Sequence, residues 1–238
     1  MIKQEKILLP GLSKQLQFLI DNLKLDGLSI LVIGSASENI ALELAELSGV
    51  KTHLIVEDFD SLMTSNLVID NNPDVQVKMM DFERTDFAKE SFDLVFAQAS
   101  ISLTERNKIV KEIKRVLKPG GILCVGELVT LEEDIPRFVE DIFDNSGMVV
   151  LNRFKLNNYY TERGFKILFE KNLTDTLRNY YTINLKKLGS EKEKLGDNEK
   201  TYFKKVINKI SHESGAFLKQ GADKYIGFKA IICKRGEN

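Results

Sequence analysis

The sequence predicts an α/β fold, a doubly wound and largely parallel sheet, on three observations. Short apolar runs alternate with longer amphipathic stretches from residue 12 to residue 129. The runs are apolar on consecutive positions, as in Ser29–Gly34 (Ser-Ile-Leu-Val-Ile-Gly), which suits strands covered on both faces. Each run also ends in glycine, acidic or small polar residues, where such a sheet opens its ligand crevice.

Each element follows from local chemistry. Leu12, Leu16, Leu19, Ile20 and Leu23 recur at helical spacing and predict a first helix, with Ser13 as N-cap. Ser29–Gly34 is the first strand. A helix over residues 38–48 sets Ile40, Leu44 and Leu47 on one face. His53–Glu57 is the second strand, Leu62–Ile69 a helix stopped by Pro73, and Val75–Met79 the third strand. Phe92–Ala97 is the fourth. A helix capped by Thr104 carries Ile109, Ile113, Val116 and Leu117 on its apolar face, and Pro119-Gly120-Gly121 ends it. Ile122–Val129 is the fifth strand. Beyond 130, helices are predicted over Asp134–Asn145, Asn152–Arg163, Thr174–Leu188 and Glu199–Ser211. A sixth strand is predicted at Gly164–Glu170 and a seventh at Tyr225–Lys234, completing one sheet in a single domain over 1–238.

Composition excludes several classes. With 34 Lys+Arg against 35 Asp+Glu the net charge is 34 − 35 = −1, which argues against a protein that coats nucleic acid or an anionic membrane. Eight lysines between 186 and 209, against four acids, read as a solvated helical face. No apolar run approaches the roughly 20 residues of a membrane span, and the N-terminus carries no signal-peptide pattern, so the expectation is a cytoplasmic protein. Cys124 and Cys233 sit in apolar runs and read as reduced, buried thiols. Two histidines, His53 and His212, and these two cysteines have no metal-ligand spacing, so no metal site is expected.

Two stretches carry the functional signal. The first is Asp81-Phe82 followed by Asp86-Phe87-Ala88-Lys89-Glu90-Ser91-Phe92-Asp93-Leu94-Val95. The second is Ile109-Val110-Lys111-Glu112-Ile113-Lys114-Arg115-Val116-Leu117-Lys118-Pro119-Gly120-Gly121, followed by a strand. In this order they resemble the class I S-adenosylmethionine-dependent methyltransferases. The likeness is to small-molecule members of the ubiquinone/menaquinone and arsenite methyltransferase type (methyltransferase type 11 domain), over roughly residues 10–173 with a tail at 225–235. The resemblance implies a Rossmann-like, seven-stranded sheet of order 3-2-1-4-5-7-6 with strand seven antiparallel. It implies a cofactor-binding core at 10–130 and a helical cap or substrate region at 131–163 and 174–218. The cofactor would be S-adenosyl-L-methionine, the product S-adenosyl-L-homocysteine and the partner a small-molecule methyl acceptor.

Residue by residue, the resemblance gives Glu57 the ribose diol, a role that suits a carboxylate able to accept two hydrogen bonds. Asp58 lies beside it. Asp81 would accept from the adenine amino group, Phe82 would flank the ring, and Gln98 and Ala99 would line the methionine end. Gly34, Ser35 and Ala36 would form the first loop. There the sequence departs from the family pattern of an acid, an apolar residue and Gly-x-Gly-x-Gly: the acid is Val32, and the glycines are Gly34, Ala36 and Glu38. Glu38 is read either as bulk and charge near the cofactor, as a helix-starting acid, or as a contact to the cofactor ammonium. Glu127, near the carboxyl end of the fifth strand, is the candidate substrate-side acid or base. Tyr159, Tyr160, Tyr180, Tyr181 and Tyr202 are candidate cap aromatics. The degenerate loop motivates an alternative, a catalytically impaired binding or scaffold subunit. A homodimer and a heteromer with an active partner both stay open. A nicotinamide oxidoreductase is disfavoured by the missing Gly-x-Gly-x-x-Gly.

Overall fold

The computed structural model describes residues 6–194 and 211–236, and side chains at 189–194 are left aside. The chain runs α1 (Leu12–Asn22), β1 (Ile30–Ile33), α2 (Glu38–Ser48), β2 (Thr52–Val56), α3 (Phe59–Ile69), β3 (Val75–Met79) and β4 (Phe92–Gln98). It continues with α4 (Arg106–Val116), β5 (Leu117–Thr130), α5 (Arg137–Asn145), β6 (Leu151–Asn152), α6 (Leu156–Glu162), β7 (Phe165–Asn172) and α7 (Asp175–Lys194). Residues 211–219 are helical (α8), and β8 (Ile226–Arg235) ends the chain.

The sheet order is β3-β2-β1-β4-β5-β8-β7, with β6 paired to β5 off this path. β1 to β5 pair in parallel, and β8 is antiparallel to both β5 and β7. This is the anticipated order once the two-residue β6 is set aside. Alternation along the strands divides the core between two faces. Ile30, Val32, Leu54, Val56, Leu94 and Phe96 face α1, α2, α5, α7 and α8. Leu31, Ile33, Ile55, Val95, Val125 and Ile231 face α4 and α6.

Several boundaries differ from expectation, each for a local reason. The N-cap of α1 is Gly11, in a left-handed turn at φ 91, rather than Ser13. Glu105 rather than Thr104 precedes α4, and it makes no side-chain cap. Pro119-Gly120-Gly121 does not follow the helix as a loop: α4 already ends at Val116, and these residues lie within β5, which bulges against β4 between Phe92 and Leu94. Pro136 delays α5 to Arg137. The helix expected from Asn152 begins at Leu156, because Asn152 pairs with Thr130 in β6 and its side chain ties Glu132 O and Phe154 N. The helix expected at Glu199–Ser211 lies outside the described residues except for Ser211, as does Tyr202.

Within the stretches expected to form a cap, Leu156 and Tyr160 of α6 pack on one sheet face. Leu177 and Tyr181 of α7, with Phe217 of α8, pack on the other. Among the described residues of these stretches, only the turn after α5, Ser146–Gly147, borders the crevice described below. Among the described residues no helix is long and apolar enough to cross a membrane, and no group of three or more His, Cys, Asp or Glu could hold a metal ion.

Cys124 and Cys233 are both free and fully buried, on opposite sheet faces. Burial pushes the Cys124 thiol up to about 12 and the Cys233 thiol higher still. A thiol-reactive disulfide reagent at pH 8 should therefore label neither cysteine in the native protein and both after denaturation. Rapid native labelling would contradict this packing.

Candidate active site

The crevice lies outside the carboxyl ends of β1 to β4. Ile33 is level with Ile55 of β2 and Ala97 of β4, and Val56 with Met79 of β3, so the following loops leave the sheet side by side.

The first loop keeps its backbone shape despite its composition. Gly34 has φ +120, and a Cβ there would lie 2.6 Å from Ser100 Cβ, so only glycine fits. Ser100 in turn donates to Ile33 O at 2.7 Å. Ala36 is left-handed, at φ 61, a strain of about 1–2 kcal/mol for a residue with a Cβ. Ser35 is exposed beside it, and Ser37 follows as the buried N-cap of α2, its hydroxyl unpartnered. Glu38 starts α2 and turns away from the loop: its carboxylate accepts from Ser65 Oγ of α3 at 2.5 Å. It is a helix-starting acid, and its carboxylate is used between two helices. Val32 is buried in the core, so no carboxylate lies under the loop.

The acids at the next two strand ends differ in what they hold. Asp58 is the N-cap of α3, accepting from Ser61 N at 2.8 Å and Ser61 Oγ at 2.9 Å, and these bonds lower its pKa. Glu57 and Asp81 are exposed, and their carboxylates make no hydrogen bond or ion pair among the described residues. Partial burial, then the charges of Asp58, Asp81 and Glu83, raise the Glu57 pKa. Glu57, Asp81 and Phe82 share a cleft of about 420 Å³ whose opposite wall is Leu103–Glu105, Ile109 and Ser146–Gly147. A smaller hollow of about 290 Å³ adjoins it and also includes Glu57 and Asp81. Phe82 is 4% exposed, anchored in the core behind the cleft.

Gln98 and Ala99 close β4. Gln98 Nε2 donates to Pro10 O at 2.8 Å and Leu12 O at 2.9 Å, tying the N-terminal turn across the strand end. Its buried Oε1 has no partner. Ala99 is left-handed, at φ 56, with its N–H on Gly126 O. These two residues and Gly34–Ala36 do not line the larger cleft. Its far wall, Leu103–Glu105 and Ser146–Gly147, was not foreseen. Those residues have ordinary loop chemistry, and long-range pairing, including the bridge between Leu103 and Met148, brings them together.

Glu127 lies behind that wall and does not line the cleft. It is completely buried and accepts from Ser102 Oγ at 2.6 Å, from Arg106 Nη2 and from the Tyr160 hydroxyl. Burial opposes the Arg106 charge, but the Glu127 carboxylate outweighs it and the Arg106 pKa ends raised. Burial and Glu127 push the Tyr160 phenol well up. Arg106 also donates to Val149 O at 3.0 Å, so the network fastens both halves of the wall. Three donors leave this carboxylate an anchor rather than a free acid or base. Arg106→Met should strand it and cost about 3–5 kcal/mol in urea unfolding. Arg106→Met with Glu127→Leu should be more stable than that single variant, and equal losses would show that the pair is not coupled.

The other candidates lie apart. His53 is packed edge-on against Phe87 and Phe92 with a lowered pKa, from burial first and then Lys78 and Lys51. His212 is exposed on α8. Tyr159 is sandwiched by Arg106 and Arg163, and Tyr181 stacks on Phe217 beside Tyr180.

Comparison with known proteins agrees with this arrangement. A methyltransferase-domain family matches residues 31–125, less than half of the chain. Ribosomal RNA-processing protein 8 of Caenorhabditis briggsae is 30% identical over 91 residues, which is 38% of this chain and 27% of that protein, so about a quarter of the relative's length is spanned. Among solved structures, the (4+2)-cyclase SpnF superposes with TM-score 0.77 at 17% identity, covering 95% of this chain and 81% of that one. A putative sarcosine dimethylglycine methyltransferase from Galdieria sulphuraria gives 0.75 at 14%, covering 94% and 85%. Phosphoethanolamine N-methyltransferase 2 of Haemonchus contortus gives 0.78 at 16%, covering 98% of this chain and 55% of that one. At such identities the superpositions establish the fold. The matched domain, residues 31–125, is similar to a methyltransferase-domain family, and the fold over the whole chain is that of the superposed methyltransferases.

Proposed function

We propose that this protein is an S-adenosylmethionine-dependent methyltransferase that acts on a small-molecule acceptor. The observation that carries the reading is the pair Glu57 and Asp81: two carboxylates, unpartnered among the described residues, on one cleft at adjacent strand ends. Residues that hold the fold together use their acids up, as Asp58 does. Acids kept free at a cleft are available to a ligand.

The donor set fits the cofactor. Glu57 offers two acceptor oxygens to a ribose diol, and Asp81 an acceptor to the adenine amino group. Phe82 supplies a fixed apolar wall. The unpartnered Gln98 Oε1 suits an ammonium group. When bound, the cofactor supplies an electrophilic sulfonium methyl. The chain's part is to align the acceptor in line with that carbon, at roughly 3 Å, and to exclude water. The wall of Leu103–Glu105 and Ser146–Gly147, pinned by Arg106, serves exclusion. A small acceptor is favoured over RNA because Glu57, Asp81, Glu83 and Glu105 all border the cleft, a field that repels phosphates.

A second reading, a scaffold that no longer binds cofactor, rests on Val32 and on Ser100 packed against Gly34. Against it stands Ala36, which is held at the positive φ that glycine adopts readily.

Isothermal titration with S-adenosylhomocysteine should give micromolar binding. Asp81→Ala should weaken it at least ten-fold, about 1.4 kcal/mol. No heat up to millimolar ligand would overturn the enzyme reading in favour of the scaffold.

The raised Glu57 pKa sets a pH dependence. The diol needs the ionised carboxylate, so affinity should fall as pH drops through the raised Glu57 pKa. The sign for stability is opposite. An acid whose folded pKa is raised costs the free protein stability as pH rises from the unfolded pKa through the folded one. Glu57→Gln should weaken binding at neutral pH and flatten its slope across this window, and an unchanged slope would remove Glu57 from the site.

A further inference from the structure

We propose that α3 and the adjoining β3 edge form a self-association surface, on which a second copy of this chain docks about a two-fold axis. The helix is turned inside out. Only Ser65 and Ile69 are buried, while Phe59 is 62%, Met63 49% and Leu67 78% exposed. Glu38 provides the local cause. Its carboxylate binds Ser65 Oγ, so the polar side of α3 faces α2. At about 100° per residue, Phe59, Met63 and Leu67 share an arc of roughly 80°, and Ser65 lies about 200° on from Met63. The apolar stripe therefore points away from α2, toward the sheet edge formed by β3, where Met79 is 50% exposed.

The stripe fits a second copy. Phe59 and Leu67 stand four residues either side of Met63, so the stripe maps onto itself under a two-fold axis through Met63. Antiparallel docking then sets Phe59 of each copy against Leu67 of the other and opposes the helix macrodipoles. Asp60 is the sole charged side chain of α3, which gives a strongly charged partner little to recognise. Among the described residues β3 pairs only with β2, which leaves its outer backbone groups to the copy's strand. The patch is on the order of 400 Å², the size of the largest apolar patch on a typical monomer, which is often functional. Two such patches with their rims and the strand edges approach the roughly 1,200 Å² of a stable interface. Met79 also lines the hollow beside Glu57, so association walls the outer side of the cleft. None of this depends on the methyltransferase reading.

Sedimentation velocity on the full chain tests it. The expected result is a species of twice the chain mass at high micromolar concentration, with Leu67→Glu and Met63→Glu each weakening dimerisation more than ten-fold. Phe154→Glu, at an exposed apolar residue elsewhere, should leave the dimer intact. Thermal unfolding confirms that each variant is folded. A monomeric wild type at that concentration, or a dimer that survives Leu67→Glu, would overturn the proposal.

Discussion

The parallel placement of β1 between β2 and β4 is the constraint from which the site follows. Parallel strands cannot be joined by tight hairpins, so the chain crosses a sheet face between them, as α2, α3 and α4 or as the loop from β3 to β4, and returns to the same end. With Ile33, Ile55 and Ala97 in register, the residues just beyond them emerge at one level. Gly34, Glu57, Asp81 and Gln98 are distant in sequence and converge for that reason alone. The convergence has a cost: Ala36 and Ala99 both sit in left-handed backbone, which a residue with a Cβ adopts only where its surroundings require it.

The first loop shows how a departing sequence can keep a geometry. The second family glycine is replaced by the smallest residue that can still reach positive φ, and Ala36 does so. The third position needs no such freedom, because Glu38 is already helical. Its larger side chain is accommodated by Ser65, and the two helices are joined by a hydrogen bond in place of close apolar contact. With Ser65 held toward α2, Phe59, Met63 and Leu67 lie on the outer side of α3.

Much of the fold was legible because burial on two faces writes itself as consecutive apolar residues, as in Ile30–Ile33 and Phe92–Gln98. Strand-end acids were legible for the same reason, since each follows such a run. Caps and side-chain destinations were not. Ser13 and Thr104 have the chemistry of N-caps, but Gly11 and Glu105 hold those positions because tertiary ties decide where the chain turns: Gln98 holds Pro10 and Leu12, and Arg106 is held by Glu127 and Val149 O. β6 was missed because two residues carry no period. The wall of the cleft was missed because Leu103 and Met148 meet only through long-range pairing.

Glu127 and Glu57 illustrate what distinguishes an anchor from a ligand. Both are acids at or near the carboxyl end of a parallel strand, and the sequence offers nothing to separate them. Their surroundings do. A carboxylate with no exposure is tolerable only with its acceptor sites filled, and Ser102, Arg106 and Tyr160 fill those of Glu127. Its charge is then committed to holding Arg106, and through Arg106 the wall at Val149. Glu57 faces Asp58, Asp81 and Glu83 with no cation bound to it, and its raised pKa records the resulting repulsion together with partial burial. A free acid at a cleft is available to a ligand, whereas a satisfied one behind the cleft is committed to architecture.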